Sequence, residues 1–309
     1  MSEAPTGIVV VDKPGGITSH GVVGRVRRLA GTRKVGHAGT LDPMATGVLV
    51  LGVGRATRLL GHLMLTEKGY AATVRLGVAT STDDAEGEVL AVRPAGHVTE
   101  ADVRTALAGF VGEIDQVPTA VSAIKVDGKR AYQRVRDGED VVLASRRVTV
   151  HELVVDAVRP AEVDGTPVLD VDVELRCSSG TYVRAIARDL GALLGTGGHL
   201  TALRRTAVGP FDLSAARTLE QLDDAFAPVP LAEVARRVFP VLEVDADGER
   251  DVRVGRSLDR PAALPGHAAV DLAEEGAAAP PLAVLGPDGD FLALYRAAGE
   301  RLKPVAVFV

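Results

Sequence analysis

The chain has 309 residues, of which 46% are hydrophobic, and its formal net charge is −6 at pH 7. This composition supplies enough apolar side chains for a large buried core and excludes a disordered or fibrous protein. The length favours either one large domain with a smaller one or two domains. A single cysteine, Cys177, excludes an intramolecular disulfide, and no Cys/His spacing is typical of a zinc site.

The N-terminus lacks the basic start and long apolar core of a secretion signal, and the longest apolar stretch is too short to cross a bilayer. A chain with one cysteine also suits the reducing cytosol. From these features we expect a soluble, cytoplasmic protein that contacts no membrane.

Charge is distributed unevenly along the chain. Residues 1–70 contain nine Lys/Arg against four Asp/Glu, whereas residues 240–309 contain seven Lys/Arg against twelve Asp/Glu. Because phosphate groups are bound mainly by Lys and Arg, the basic opening segment favours a nucleic-acid partner and the acidic tail disfavours one.

The first predicted elements, in chain order, are a strand in "GIVVVDKP" and a helix in "TSHGVVGRVRRLAG". The apolar residues of this helix recur at helical spacing: Val22, Val23, Val26 and Leu29. Its polar side carries Arg25 and Arg28, which would form either a solvated face or a binding face. "TGVLVLGVG" then predicts a buried strand, and "RATRLLGHLM" predicts a short helix.

Further along the chain, "KGYAATVRLG" predicts a strand, and "VTEADVRTALAGF" predicts a helix that opens with a capping box from Thr99 to Asp102. Alternating apolar and polar residues in "VLDVDVELRC" predict a strand with one buried face, followed by a helix. That junction places Tyr182 and Arg184 at a helix N-terminus, where an anion can be bound. Strands and helices are interleaved, but the connections vary in length and several neighbouring strands could pair antiparallel, so we expect a mixed α+β sheet and not a doubly wound one.

Near Phe239 the sequence changes to short apolar runs, Gly and Pro turns and the stretch "EEGAAAPP". We therefore expect two domains, one over residues 1–238 and a small β-rich module over residues 239–309.

Two further segments are candidates for chemistry. "TDDAEGE" could hold a divalent metal through Asp83, Asp84 and Glu86, as in a metal-dependent hydrolase, but a solvated acidic hairpin turn is favoured because no matching ligand set appears. "GVGRAT" lacks the last glycine of a dinucleotide motif, and no glycine-rich loop is followed by Lys-Ser/Thr, so no nucleotide cofactor is predicted.

One acidic residue, Asp42, stands alone in "GHAGTLDPMATGVLVLG". An Asp-Pro pair is typical of a type I turn. The neighbouring glycines would allow a ligand to approach closely, and His37 and Thr40 could donate or accept hydrogen bonds. A single carboxylate in such a loop favours covalent or ion-pair catalysis over two-carboxylate acid–base chemistry or metal binding.

Five segments together resemble the bacterial tRNA pseudouridine-55 synthases of the TruB family. In the family's order and at its approximate spacing, they are "DKPGGITSH", "GHAGTLDPMATGVL", "KGYAATVRLG", "RCSSGTYVRAIARDLG" and "HLTALRRTAVGPF". The segment "KVDGKRAYQRVRDGEDV" resembles the family's mobile RNA-clamping loop, near residues 124–147. The C-terminal module resembles its small PUA-type RNA-binding domain. The implied fold is α+β, with a mixed, largely antiparallel sheet in the catalytic domain and a β-barrel-like C-terminal domain.

This resemblance implies an isomerase that converts uridine 55 in the T loop of tRNA to pseudouridine, without cofactor or metal. The enzyme would break the N-glycosidic bond, turn the detached base and rejoin it to the same ribose through carbon. Asp42 would be the catalytic carboxylate, acting either on the ribose carbon or as a base at a sugar position. The uridine must first flip out of its stack to reach this side chain.

The resemblance also implies the residues that bind the substrate. Tyr70 would stack on the flipped base, and Tyr182 would lie beside it. Arg184 would pair with Asp42 and keep it ionised; the alternative is a surface ion pair with an acid such as Asp189.

Leu203 would pack against the base, and His37 would enter the T loop in place of displaced bases. Lys13 belongs to a Lys-Pro pair near the pocket floor, where packing and substrate contact are both open. Basic residues are candidates for phosphate contacts: Arg25, Arg28, Arg33, Lys34, Lys125, Lys129, Arg130, Arg204 and Arg205.

A monomer that needs no protein partner is expected. The main alternative is a non-catalytic chaperone that binds and remodels tRNA.

Overall fold

The structure is a computed structural model that describes residues 5–119, 125–126, 129–130, 143–261 and 281–309. Its strands are β1 (Gly7–Lys13), β2 (Val35–His37), β3 (Thr46–Val53), β4 (Lys68–Leu76), β5 (Val78–Thr80), β6 (Val89–Val92), β7 (Gly112–Gln116), β8 (Lys125–Val126), β9 (Lys129–Arg130), β10 (Arg146–Val163), β11 (Thr166–Cys177), β12 (Gly198–Val208), β13 (Phe211–Asp212), β14 (Val241–Glu243), β15 (Leu258–Asp259), β16 (Leu282–Leu285), β17 (Phe291–Ala298) and β18 (Arg301–Val307). Its helices are α1 (Ser19–Leu29), α2 (Leu60–Met64), α3 (Glu100–Ala108), α4 (Val183–Leu193), α5 (Leu219–Asp224), α6 (Leu231–Val238) and α7 (Ala246–Arg253), with a 3-10 helix over Gly54–Leu59.

A nine-stranded sheet forms the larger part of the molecule. Its main path runs β1-β3-β12-β4-β11-β10-β7, with β2 added to β3 and β13 added to β12. Only β3 and β12 pair in parallel; the other neighbours in this sheet are antiparallel. The predicted α+β class with a mixed, largely antiparallel sheet is therefore confirmed.

Local sequence signals explain where the helices begin. In α1 the hydroxyl of Thr18 accepts a hydrogen bond from the backbone N–H of Gly21, and Val22 and Val26 are fully buried. In α3 both hydrogen bonds of the predicted capping box between Thr99 and Asp102 are present. Such caps satisfy backbone groups that a helix leaves unpaired at its first turn.

The alternating pattern of β11 is explained by burial of one face. Val171 and Val173 are buried, and the strand pairs with β4 from Leu169 to Cys177. Cys177, at the end of β11, is completely buried, and this burial raises the pKa of its thiol to about 11.

The last strands form a separate five-stranded sheet, ordered β14-β16-β17-β18-β15, which curls into a half-barrel. One hydrophobic cluster contains buried side chains from both this sheet and the large one. Leu285 and Phe291 of the small sheet, and Phe308 just after its strand β18, pack in this cluster with Val50 and Phe211. The two sheets therefore share buried apolar surface, although the predicted domain limit near residue 239 stays a prediction.

Two sequence predictions concern other parts of the chain. Most of the proposed RNA-clamping loop near residues 124–147 lies outside the described residues, which include only the short pair β8–β9 and residues from 143 onward. Within the described parts of the chain, no helix is both long enough and apolar enough to span a membrane.

The shared cluster predicts that the two sheets stabilise each other. Leu285→Ala should lower the free energy of unfolding by about 2–5 kcal/mol, because it leaves a cavity in a fully buried site. Val254→Ala is the matched control, since Val254 is 69% exposed and its truncation should change the value by less than about 0.5 kcal/mol. Urea unfolding followed by circular dichroism measures both. Equal effects of the two substitutions would contradict the shared cluster.

Candidate active site

Asp42 lies in the loop between β2 and β3, which is held from several sides. The hydroxyl of Ser19 donates to the carbonyl of Leu41 at 3.0 Å and accepts from the Leu41 N–H at 2.9 Å. The N–H of Ala45 donates to the carbonyl of Asp42 at 3.1 Å, which closes the turn predicted at the Asp-Pro pair. The carboxylate is therefore attached to a well-anchored turn.

Arg184 lies against Asp42 in a bidentate arrangement. Its Nε is 3.0 Å from Oδ2 of Asp42, and its Nη2 donates to Oδ1 at 3.3 Å. The Arg184 side chain is only 5% exposed, whereas Asp42 is 32% exposed, so the carboxylate faces the solvent side of the pair. The contact predicted between these two residues is present. Asp189 pairs instead with Arg188, at 2.8 Å.

The other side of the Arg184 guanidinium faces the acidic segment between β5 and β6. Its Nη1 donates to the carbonyl of Thr82 at 2.8 Å and lies 3.5 Å from Oδ2 of Asp84. Asp84 is buried, and its Oδ1 accepts hydrogen bonds from the Thr82 hydroxyl and the Glu86 N–H. The segment is a hairpin turn as expected, but the prediction that it is solvated is wrong for Asp84.

Two carboxylates of this segment face cations of the protein itself. Asp84 faces Arg184, and Asp83 lies 3.6 Å from Arg188. Among the residues that the structure describes, no group of three or more His, Cys, Asp or Glu side chains could hold a metal ion. The arrangement thus assigns Asp84 to the ion-pair network of Asp42.

The electrostatic environment of Asp42 contains opposing contributions. Burial raises the pKa of its carboxyl group, and the negative charge of Asp84 raises it further. The charge and hydrogen bond of Arg184 lower it, as does the charge of Lys13. Arg184 therefore stabilises the ionised form of a carboxylate that its surroundings would otherwise tend to protonate.

Lys13 is fully buried, and its ammonium group is hydrogen-bonded to main-chain carbonyls of the protein. Its Nζ donates to the carbonyls of Pro14, Ile17 and Pro43, at 2.9, 2.7 and 3.0 Å. Burial lowers the pKa of this amine to about 8. Of the two interpretations left open by the sequence, these contacts favour a packing role, because all three bonds hold backbone beside the Asp42 turn.

Tyr70 and Leu203 lie on neighbouring strands of the large sheet. Tyr70, in β4, is half-buried and lies opposite Arg205 of β12. Burial raises the pKa of its phenol. Leu203 is 8% exposed and lies opposite Ala72, two residues after Tyr70.

Tyr182 precedes α4, and a residue that the sequence did not single out fixes its backbone. The side chain of Gln116, at the end of β7, accepts from the Tyr182 N–H at 2.7 Å and donates to its carbonyl at 3.0 Å. Gln116 is 98% buried, and both of these hydrogen bonds of its side-chain amide are made to Tyr182. Because 66 residues separate the two, no local pattern could have indicated the contact.

His37 ends β2 at the other side of the Asp42 loop. Its ring meets that of His20 edge-on, with 5.5 Å between the ring centroids. Burial lowers the pKa of the His37 imidazole, and the nearby His20 and Arg205 lower it further. The neutral imidazole is therefore favoured near pH 7.

The basic candidates for phosphate contact fall into distinct groups. Arg28 is exposed in α1, and Arg33 and Lys34 are exposed just before β2, whereas Arg25 pairs with Asp223 and Arg204 pairs with Asp12. The side chains of three candidates lie outside the described part of the chain: Lys125, Lys129 and Arg130.

The prediction for Arg205 is wrong. This side chain is 1% exposed, and its guanidinium donates to main-chain oxygens inside the protein, so it is not a surface phosphate ligand.

Family matches cover most of this site. Residues 27–183 match the "TruB family pseudouridylate synthase (N terminal domain)", and residues 184–240 match the "tRNA pseudouridylate synthase B C-terminal domain". The first match contains Asp42 and Tyr70, and the second begins at Arg184.

Full-length relatives extend this match to nearly the whole chain. "tRNA pseudouridine synthase B" of Arthrobacter sp. (strain FB24) is 56% identical over 303 residues, which cover 98% of this chain and 96% of that protein. The protein of the same name from Streptomyces griseus subsp. griseus (strain JCM 4626 / CBS 651.72 / NBRC 13350 / KCC S-0626 / ISP 5235) is 55% identical over 309 residues, which cover 100% and 99%.

Among solved structures, "Crystal Structure of a Cbf5-Nop10-Gar1 Complex" contains a chain with 25% identity and a TM-score of 0.73. The match covers 98% of this chain and 85% of that one. The fold and the family matches thus agree with the class of pseudouridine synthases, which are isomerases. The chain belongs to the TruB family of these enzymes.

The environment of Asp42 predicts opposite titration shifts for two substitutions. Arg184→Met should raise the pKa of the Asp42 carboxyl, because a positive neighbour is lost, and Asp84→Asn should lower it, because a negative neighbour is lost. Carboxyl carbon chemical shifts followed by NMR over a pH series measure both.

The matched control is Arg75→Met, since Arg75 pairs with Asp170 at 2.7 Å elsewhere on the sheet. It should leave the Asp42 titration unchanged. Shifts in the same direction for the two site variants would contradict the assigned network.

Proposed function

We propose that this chain isomerises uridine 55 in the T loop of tRNA to pseudouridine, with Asp42 as its single catalytic carboxylate. The names of the full-length relatives support tRNA as the substrate. The observation that carries the proposal is the bidentate pair between a largely buried Arg184 and the more exposed Asp42. This pair supplies one ionised, oriented carboxylate that is accessible to a substrate.

A single carboxylate suffices for this reaction because the leaving base is also the group that returns. The bond between the ribose carbon and N1 of uracil breaks, the base turns, and C5 bonds to the same ribose carbon. The C5 proton is then lost and N1 becomes protonated, so no water is activated and no electrons are exchanged. Asp42 acts either on the ribose carbon or as a base at a sugar position.

The residues around Asp42 suit a flipped-out uridine. Extruding a base from a folded loop costs a few kcal/mol, and stacking on an aromatic ring typically returns about 1–3 kcal/mol. Tyr70 is half-buried and able to stack, while Leu203 supplies apolar contact on the next strand. Tyr182, held by Gln116, completes the expected base-binding set, and His37 would enter the T loop.

The RNA path follows from where basic side chains remain exposed. Arg33 and Lys34 are exposed just before β2, which ends at His37, so phosphates of the T stem-loop would bind on this side. In the module after Phe239, several arginines instead pair with nearby carboxylates: Arg250 with Asp247, Arg253 with Glu249, Arg256 with Asp251 and Arg301 with Asp259. We therefore assign most of the RNA affinity to the first domain.

We further propose that the enzyme acts as a monomer in the cytoplasm and needs neither a protein partner nor a cofactor.

The first test compares wild type with Asp42→Asn on an unmodified tRNA transcript in excess chelator. Wild type should form pseudouridine at position 55, and the variant should lose roughly three to six orders of magnitude in rate while keeping its tRNA affinity. Asp170→Asn is the matched control, because Asp170 pairs with Arg75 away from the site. A folded wild type that binds tRNA but makes no product would favour the chaperone alternative.

A second test uses an isolated T stem-loop RNA. If recognition depends on loop shape and splayed bases, this fragment should be modified at the uridine equivalent to position 55 with a rate constant within about tenfold of that for full tRNA. Replacing that uridine by cytidine should abolish product without moving modification to a neighbour. Mass spectrometry of nuclease digests locates the product, and modification elsewhere would refute the assigned position.

A further inference from the structure

Arg205 is the largest of the completely buried side chains that the structure describes. A guanidinium stays charged at any physiological pH, and removing it from water is costly unless its N–H groups are hydrogen-bonded. A buried arginine of this kind therefore indicates that its contacts are specific. The sequence had suggested a phosphate ligand at this position, which the burial rules out.

The hydrogen bonds of Arg205 end on main-chain oxygens at both ends of the Asp42 loop. Its Nη2 and Nη1 donate to the carbonyls of Gly39 and Thr40, at 3.2 and 3.3 Å. Its Nε donates to the carbonyl of Val48 at 2.7 Å. These acceptors precede and follow Asp42, so one planar group bridges the two ends of the loop.

The same side chain reaches a second functional group. Arg205 lies opposite Tyr70 in the pairing of β12 with β4. Its guanidinium interacts with the Tyr70 hydroxyl and partly offsets the rise in the pKa of that phenol caused by burial. One residue thus connects the loop that carries the carboxylate to the ring expected to stack on the base.

The backbone of Arg205 is fixed as firmly as its side chain. Arg205 is the partner of Gly47 in the parallel pairing of β12 with β3. A Cβ atom at Gly47 would lie 2.2 Å from the Arg205 carbonyl oxygen, and φ at Gly47 is +97°, where side chains other than glycine are rare. The two backbones therefore approach more closely than any other residue at position 47 would permit.

We propose that Arg205 is a positioning residue of the isomerisation. It fixes the Asp42 loop relative to Tyr70 and thereby sets the distance between the carboxylate and the stacked base, without touching the RNA. This inference rests on the proposed function and deepens it, because it assigns a role in orientation to a residue that contacts no reacting atom. Misplacing a reacting group by about 1 Å can cost roughly a hundredfold in rate.

The variants Arg205→Lys and Arg205→Gln separate charge from geometry. Lysine keeps the positive charge, but its ammonium cannot bridge several carbonyls as a planar guanidinium does. Glutamine removes the charge as well, so Arg205→Lys remains informative if Arg205→Gln fails to fold. The matched control is Arg75→Lys, since Arg75 makes two hydrogen bonds to Asp170 on the same sheet, away from the site.

Single-turnover kinetics on unmodified tRNA give the first readout. Arg205→Lys should lower the rate of pseudouridine formation by about 10- to 100-fold and leave the Kd for tRNA within about threefold of wild type. Arg75→Lys should leave both values unchanged. A wild-type rate in Arg205→Lys, or an equal loss of rate and affinity, would overturn the proposal.

Hydrogen–deuterium exchange of the free protein gives a second readout that needs no activity. In Arg205→Lys, the peptide covering residues 36–48 should exchange at least about tenfold faster, because the loop loses its bridge. The same peptide in Arg75→Lys should exchange as in wild type. Unchanged exchange in Arg205→Lys would refute the positioning role. If wild type itself made no pseudouridine, the proposed function would fail while exchange still decided the role of Arg205.

Discussion

The buried guanidinium of Arg184 is the interaction on which the site depends. An arginine at this depth requires charged and hydrogen-bonding partners, and it finds them in Asp42, Asp84 and the carbonyl of Thr82. These partners come from two separate loops, while Arg184 itself comes from the first turn of α4. Folding the sheet is therefore coupled to assembling the site, because a misplaced loop would leave an uncompensated charge in the interior.

Much of the fold was predictable because its signals are local. The alternation in β11, the capping box of α3 and the valine spacing of α1 each lie within about a dozen residues, and all three elements are present. The pairing of Asp42 with Arg184 was predictable only through the family resemblance, since 142 residues separate them. The local sequence indicated a turn and a single carboxylate suited to covalent or ion-pair catalysis, but it gave no sign of the partner.

Sequence analysis was wrong about Asp84 and Arg205, and it did not single out Gln116, because these polar side chains bind backbone or charged groups far away in the chain. Gln116, Asp84 and Arg205 each look like surface residues in their own segments, yet each is buried by contacts made elsewhere in the chain. Arg205, for example, reaches carbonyls 157 to 166 residues away. The periodicity of one segment does not indicate a contact with a distant segment. The burial of such a charged residue can therefore be predicted only when the order of the strands is known.

Cys177 has a practical consequence. Its thiol is completely buried and its pKa is raised to about 11, so only about one part in ten thousand would be the reactive thiolate at neutral pH. Thiol-reactive dyes should therefore react very slowly with Cys177 in the native protein. A cysteine placed by mutation on the exposed rim of the site becomes a unique attachment point for a fluorophore, with no need to remove the natural one.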